Sequence, residues 1–292
     1  MRHTGLKEAY FMLSKQKLKF TKMHGCGNDY IYFSGIDITN PAELALKLTN
    51  RNTSVGGDGI VLILPSTVAD AKMRMFNANG TEGLMCGNSI RCVGKYLYEQ
   101  GLVSKLDISI ETASGIKQLK LAQDDNKIVA VTVNMGLAQL APEDVPVILN
   151  GARVVQRKLT INGTGYEVTC LSMGNPHAII FNDDITHFDL QNAGTAFEKA
   201  NIFPQGINLG IVQMVGRNSL RMRVWERGSG ETLASGTAAC AAAVSAVLVG
   251  FADMDENIEV ELAGGHLQVR YTHSGVYLTG ECATSYEGTV EI

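Results

Sequence analysis

The chain repeats itself along its length with a period of about 150 residues, which indicates two related domains and not a solenoid. The matching segments, in order, are 27–29 (Gly-Asn-Asp) with 174–176 (Gly-Asn-Pro), 84–88 (Leu-Met-Cys-Gly-Asn) with 233–237 (Leu-Ala-Ser-Gly-Thr), and 110–115 with 260–265. Their spacing agrees, because Cys86 lies 58 residues after Asn28 and Ser235 lies 60 residues after Asn175. Three ordered matches at such similar spacing indicate an internal duplication.

Each half shows the pattern of strands around one helix. Residues 106–111 and 257–262 alternate apolar and polar side chains, which is the period of a half-buried strand. Residues 238–248 are apolar on every side, and such a helix is buried. We therefore predict an α+β fold with two pseudo-symmetric domains, each a mostly antiparallel sheet or barrel around a central helix. Nothing in the pattern indicates alternating β-α-β units.

The repeat also suggests domain boundaries. Residues 1–18 are mixed and basic, with neither the apolar run nor the small-residue cleavage site of a signal peptide, and are interpreted as an N-terminal extension. The first domain is expected at 19–135, joined by a C-terminal strand at about 279–292. The second domain is expected at 136–278, with the crossover near its start.

Composition excludes several classes of partner. The net charge of −4 and the pI of about 5.9 leave no basic excess to neutralise nucleic-acid phosphates. The sequence contains no apolar stretch of about 18 residues, so no membrane span is expected. The six cysteines form no CxxC and no Cys/His cluster, so no metal is expected. Free thiols without a signal peptide indicate a cytoplasmic protein.

Two side chains stand at equivalent helix starts in the two halves, Cys86 and Ser235. The first amides of a helix lack internal partners and favour negative charge, so two facing helix ends would hold a carboxylate. They would also lower the pKa of a neighbouring thiol. Inverting the α-carbon of an amino acid needs a base on one face and an acid on the other. No cofactor is required if the helix ends stabilise the developing charge.

Each position also has an ordinary structural explanation. A cysteine at a helix start is more often a small buried residue than a catalyst, and a serine there is usually an N-cap. The equivalence of Cys86 and Ser235 under the repeat favours the catalytic interpretation, because a cleft between duplicated domains is a common ligand site.

At these residues the sequence resembles the diaminopimelate epimerase family. The segments that carry the resemblance are MHGCGNDYIYF (23–33), FNANGTEGLMCGNSIRCVGKYLYE (76–99), SMGNPHAIIF (172–181), GINLG (206–210) and WERGSGETLASGTAAC (225–240). They span the chain from about Lys19 to its end. The resemblance implies an active site between two pseudo-symmetric domains, a cysteine pair acting as alternate acid and base, no cofactor or metal, and a homodimer.

Family roles transfer position by position. Cys86 matches the first catalytic cysteine, and Ser235 stands at the second. Backbone donors for the reacting carboxylate match Gly87, Asn88, Gly236 and Thr237. Side chains that position the substrate, chiefly at its distal end, match Asn28, Asn77, Asn175, Asn208, Glu226 and Arg227.

Three of these segments have simpler alternatives. Asn28 could be only a turn residue. His177 could be a hydrogen-bonded structural histidine and not an acid or base. Glu226 and Arg227 could be a surface charge pair that contributes little.

The sequence departs from the family at the second catalytic position, where Ser235 replaces a cysteine. A serine hydroxyl has a pKa far above the ~8.5 of a thiol, so it is a poor base near neutral pH. The neighbouring motif is intact, which favours a deliberate substitution that traps a substrate complex over natural divergence to one-base chemistry. Other departures bear on the substrate: Asn79 stands for Asp, Ser89 and Ala238 stand for Gly, and the segment Asp58-Gly59 lacks a glutamine that some members use near the substrate.

Four functions stay open at this point. The leading hypothesis is epimerisation of LL- to meso-diaminopimelate, for lysine and peptidoglycan synthesis, impaired here by Ser235. The second is a racemase for another amino acid, such as histidine. The third is a one-cysteine dehydratase of a hydroxylated amino acid, and the fourth is a binding protein that keeps the cleft without turnover.

Overall fold

The computed structural model describes residues 17–36 and 38–292, so most of the expected N-terminal extension lies outside the described residues. The fold is α+β, as predicted. The first half comprises β1 (Lys17–Gly25), β2 (Asn28–Ser34), α1 (Pro41–Leu48), β3 (Gly59–Leu64), β4 (Ala71–Asn77), β5 (Glu82–Gly83), α2 (Gly87–Glu99), β6 (Asp107–Thr112), β7 (Gly115–Asp124) and β8 (Lys127–Gly136), followed by β9 (Val154–Ile161).

The second half repeats this order of elements. It comprises β10 (Thr164–Ser172), β11 (Pro176–Phe181), α3 (Leu190–Lys199), β12 (Asn208–Gly216), β13 (Ser219–Glu226), β14 (Gly230–Thr232), α4 (Gly236–Leu248), β15 (Asn257–Leu262), β16 (Gly265–Thr272) and β17 (Gly275–Gly280), followed by β18 (Ala283–Glu291). In this described part, no helix is long and apolar enough to cross a membrane.

Strand pairing follows the same duplication. β8 pairs antiparallel with β17, which joins the two halves in one continuous sheet. β18 pairs antiparallel with β1, as β9 does with β10. The C-terminal strand thus returns to the first half, where a strand was expected at about 279–292; the domain boundaries themselves stay a prediction.

Each half contains two parallel strand pairs and a second helix, which the sequence pattern did not predict. β2 pairs with β3 across α1, and β11 pairs with β12 across α3. Two further parallel pairs, β4 with β6 and β13 with β15, span the central helices. Parallel neighbours require such crossovers. With eight residues, α1 is too short to give a clear helical period, although Asn40 caps it and Pro41 begins it.

The central helices are α2 and α4, and their burial explains the fold. Residues 238–246 of α4 are all buried, as the apolar stretch predicted. In α2, Ile90, Val93 and Leu97 share one apolar cluster with Ala242 of α4. Each helix packs against the strands of its own half, so both are held rigidly at the centre of the molecule. Their N-terminal ends consequently have fixed positions.

Candidate functional site

The N-terminal ends of α2 and α4 meet. A Cβ atom added to Gly236 would lie 3.6 Å from the Cα of Gly87 and 2.9 Å from Cδ2 of Leu278. Only glycine at both positions allows this approach without displacing Leu278, because a Cβ on Gly87 would lie 3.0 Å from the same methyl group. The free amides of both helices therefore open into one space, where partial positive charge favours an anion.

Cys86 and Ser235 occupy the N-cap positions of these two helices. Both have extended backbones, with φ/ψ of −131°/124° at Cys86 and −135°/118° at Ser235. Neither side chain caps its own helix, so the N-cap explanation does not describe Ser235. Both side chains remain available to the space between the helix ends.

A cleft of about 1290 Å³ lies between the two halves at this point. All twelve residues singled out from the sequence line it: Asn28, Asn77, Cys86, Gly87, Asn88, Asn175, Asn208, Glu226, Arg227, Ser235, Gly236 and Thr237. Their individual roles stay predictions, but the fold brings residues more than 200 positions apart in the chain, such as Asn28 and Thr237, into the lining of a single cleft.

The thiol of Cys86 donates a hydrogen bond to Oδ1 of Asn28 at 3.4 Å. Nδ2 of Asn28 in turn donates to Asp58 at 2.7 Å, so Asn28 is more than a turn residue. Burial raises the pKa of Cys86 above its ordinary value, and the hydroxyl of Ser89 and the amides of Ser89 and Asn88 only partly offset it. The expectation that the helix end lowers this pKa is therefore wrong in its net direction, because desolvation outweighs the helix amides.

Ser235 lies beside Thr237, which links it to Asn175. Thr237 Oγ1 lies 3.5 Å from Ser235 Oγ and accepts a hydrogen bond from Nδ2 of Asn175 at 3.3 Å. Oδ1 of Asn175 pairs with Nε2 of His177 at 2.9 Å. His177 is fully buried, and this burial, with the nearby charge of Arg227, lowers its pKa to about 3. A neutral imidazole that orients Asn175 agrees with the structural interpretation of His177.

The neutral His177 leads to a prediction for acid stability. The folded imidazole stays neutral until about pH 3, whereas in the unfolded chain it takes up a proton near 6.5. Stability is therefore lost as pH falls through this window, by up to ~1.4 kcal/mol per pH unit. We expect the free energy of unfolding of His177→Gln, measured in urea, to fall less steeply between pH 7.5 and 4.5. The exposed His273→Gln is the matched control, and parallel profiles for His177→Gln and the native chain would refute the prediction.

Glu226 and Arg227 do not form a surface pair. Glu226 accepts a hydrogen bond from the hydroxyl of Thr232 at 2.6 Å, and Nη1 of Arg227 donates to the carbonyl of Gln205 at 2.5 Å. Within the described ranges neither is in a salt bridge. Asn208 is buried and binds backbone at both ends, accepting from the amide of Arg227 at 2.9 Å and donating to the carbonyl of Pro176 at 2.8 Å. It thereby fixes the start of the Arg227 turn.

The other residues that depart from the family pattern are accommodated by local hydrogen bonds or by burial. Oδ1 of Asn79 accepts from both the amide and the hydroxyl of Thr81, a role that an Asp would fill equally well. Nδ2 of Asn77 donates to the same hydroxyl at 3.0 Å, which holds it at the cleft wall. Ser89 and Ala238 lie fully buried in the first turns of α2 and α4.

Sequence reasoning missed the charged residues around these side chains. Arg51 and Asp58 line the cleft and pair with each other at 2.9 Å, and Lys117 lines it from β7. Arg91 lies fully buried just behind the cleft wall. The one available signal was Arg91 itself, because a charged residue within the apolar run Ile90 to Val93 is unusual. In the described ranges, no group of three His, Cys, Asp or Glu side chains could hold a metal ion.

Comparison of the sequence with known families finds the diaminopimelate epimerase model matching residues 20–141 and 169–284. A diaminopimelate epimerase from Desulfovibrio desulfuricans is 46% identical over 281 residues, which cover 93% of this chain and 97% of the relative. One from Methanococcus maripaludis is 44% identical over 279 residues, covering 94% of this chain and 100% of the relative.

Solved structures with the same fold have much lower identity. A hydroxyproline epimerase from Agrobacterium vitis, with bound trans-4-hydroxy-L-proline, superposes with a TM-score of 0.73 at 15% identity, covering 96% of this chain and 94% of that one. A PhzF-family phenazine biosynthesis protein from Bacillus anthracis gives a TM-score of 0.67 at 16% identity, with 95% and 100% covered. At these identities the likeness concerns the fold alone.

Proposed function

The chain belongs to the diaminopimelate epimerase family and is an isomerase, and we propose that it interconverts LL- and meso-diaminopimelate at the cleft between α2 and α4. The meeting of the two helix ends at Gly87 and Gly236, with Cys86 and Ser235 at their caps, carries this proposal. In the cell, such a reaction would serve lysine and peptidoglycan synthesis.

The charged side chains of the cleft provide partners for one ammonium group and for the distal carboxylate of the proposed substrate. Asp58 and Glu231 are already paired with Arg51 and Arg223, which leaves Glu226 as a partner for an ammonium group. Arg227 lines the same cleft, and its planar guanidinium suits a carboxylate. One substrate carboxylate would bind the amides at the helix ends, and the distal one would bind Arg227.

The proposed reaction is a proton exchange at the α-carbon. With the reacting carboxylate held by the helix amides, charge that develops when the α-proton leaves is stabilised where it forms. Cys86 would first lose its thiol proton to solvent; the α-proton would then pass to the thiolate Sγ on one face, and a proton would be returned to the α-carbon from the other face at position 235. Oγ of Ser235 can donate a hydrogen bond but is a poor base, so the reaction starting on its face is expected to be slow.

Solvent exchange tests the substrate. We expect the Ser235→Cys form in deuterated water to incorporate deuterium at an α-carbon of diaminopimelate and to leave histidine, lysine and hydroxyproline unlabelled. Nuclear magnetic resonance or mass spectrometry of the recovered amino acids measures the label. Label in histidine but not in diaminopimelate would contradict the proposal and favour the racemase alternative. Water released from a β-hydroxy amino acid would favour the dehydratase.

A substitution at Arg227 separates distal recognition from chemistry. Arg227→Met removes the proposed partner of the distal carboxylate, a charge-assisted interaction of ~1.5–3 kcal/mol. We expect KM for diaminopimelate to rise by about 10- to 100-fold with little change in kcat, as for uniform binding. The rates would be measured in the Ser235→Cys background.

Arg51→Met is the matched control, because Arg51 lines the same cleft but is already bound by Asp29 and Asp58. Its KM should change far less. Equal effects of the two substitutions would argue for a general loss of positive charge and against a distal site at Arg227.

Oligomeric state and location remain part of the proposal. We infer a homodimer from the family resemblance, and the outer edge of β18 has no partner strand among those described. The mass in solution, from light scattering, tests it. The six cysteines are free, which agrees with the cytoplasmic location proposed from the sequence.

A further inference from the structure

We propose that Arg91 is a positioning residue for the reaction: its guanidinium orients the carboxamides of Asn88 and Asn28, and through them the thiol of Cys86. Arg91 is not part of the cleft wall and touches no substrate in this proposal. The inference rests on the proposed role of Cys86 as a catalytic thiol.

Arg91 is a buried cation with neutral partners. It is 0% exposed, in the second turn of α2, where the helix dipole disfavours positive charge. Nη1 donates to the carbonyl of Gly87 and Nη2 to Oδ1 of Asn88, both at 3.0 Å. No carboxylate among the described residues bonds to it, and its Nε has no partner there. An apolar side chain would fill this space at lower cost, so packing alone does not account for Arg91.

The surrounding backbone is shaped to admit the guanidinium. A Cβ on Gly25 would lie 2.9 Å from Nη2 of Arg91, and one on Gly280 would lie 3.2 Å from its Cζ. The equivalent residue in the second half is Cys240, since Arg91 follows Cys86 by five positions as Cys240 follows Ser235. The buried cation therefore serves only the helix that carries Cys86, and the duplication by itself does not explain it.

The two ends of the hydrogen-bond chain determine the direction of every bond between them. A guanidinium only donates, so Asn88 must present Oδ1 to Arg91 and Nδ2 to Asn28, whose Oδ1 lies at 3.4 Å. A carboxylate only accepts, so Asn28 must turn Nδ2 toward Asp58. Oδ1 of Asn28 is left facing Cys86, where it accepts the thiol proton. Arg91 and Asp58 thus hold the resting thiol in one orientation.

Alkylation of Cys86 by iodoacetamide tests this without substrate. Its rate against pH, followed by mass spectrometry of the Cys86 peptide, reports the thiol pKa. In Arg91→Met, Asn88 is released, and Oδ1 of Asn28 loses its second donor and binds the thiol proton more tightly. We expect alkylation at pH 7.5 to slow by about fivefold, with the profile shifted to higher pH. Lys95→Met, which removes a cation one turn further along α2, should leave the profile unchanged; an unchanged profile in Arg91→Met overturns the proposal.

A double-mutant cycle separates action through Asn88 from a direct effect of the charge. In an Asn88→Ala background, Arg91→Met should change the rate by less than about twofold, because the intermediate link is gone. A full additional fivefold slowing there would mean that the charge acts directly, against the proposal. Should Arg91→Met fail to fold, Arg91→Lys is the second variant, because it keeps the positive charge but lacks the planar guanidinium that donates to two acceptors. It should also slow alkylation, and a native rate in Arg91→Lys would refute the orienting role. Since no turnover is measured, failure here is distinct from failure of the proposed epimerisation.

Discussion

Replacing Ser235 with cysteine is expected to raise the turnover of diaminopimelate by about 100- to 10,000-fold, the usual contribution of a positioned acid or base. Ser235 lies at the N-cap of α4, in the position equivalent to Cys86, and its side chain makes no capping bond that the thiol would have to replace. Interconversion of LL- and meso-diaminopimelate, followed by chiral chromatography, measures the rate in both directions.

The matched control is Ser114→Cys. Ser114 lines the same cleft, from the turn between β6 and β7, so this variant adds a thiol to the site away from the helix ends. It should leave turnover at the native level. If Ser235→Cys were no faster than the chain with Ser235, the serine would belong to a different chemistry, as in the dehydratase or binding-protein hypotheses.

Cys86→Ala is expected to abolish epimerisation in the Ser235→Cys background, with a loss of similar size, about 100- to 10,000-fold. The remaining thiol can still exchange a proton on its own face, so label is expected to enter one isomer without inversion. Measuring deuterium incorporation and inversion separately therefore distinguishes the loss of one base from the loss of binding. Binding of diaminopimelate, followed by calorimetry, should change little, because the helix amides and Arg227 remain.

Cys282→Ala controls for the loss of a thiol elsewhere. Cys282 is partly buried and lies outside the residues that line the cleft. Its substitution should keep the epimerisation rate of the Ser235→Cys form. A rate in Cys86→Ala equal to that of this control would exclude Cys86 from the chemistry.

Much of the site could be found from the sequence because the two halves of a duplicated chain can be compared position by position. The spacing of Asn28 to Cys86 and of Asn175 to Ser235 predicted equivalent positions, and the structure has both pairs at equivalent turns and helix starts. The apolar run of α4 predicted a buried helix for a local reason, the absence of any polar face. Both signals depend on residues close together in the chain.

The protonation of Cys86 could not be predicted in this way. Local reasoning saw the helix amides, which lower a thiol pKa, but the raised pKa reflects burial by residues from both halves and the charge of Glu226. The sequence also did not predict which charged side chains of the cleft form ion pairs. Arg51 is neutralised by carboxylates of β2 and of the segment before β3, while Arg227 lines the cleft with no carboxylate partner among the described residues.

The sequence by itself therefore determined the duplication, the family, the α+β class and twelve of the residues that line the cleft, because these are recorded in local patterns and in their spacing. Only the tertiary structure decided that the ends of α2 and α4 touch at two glycines, that Cys86 rests as a thiol facing Asn28, and that a buried Arg91 stands behind it. Desolvation, charge pairing and hydrogen-bond direction depend on which distant segments meet, and the chain specifies that only once it is folded.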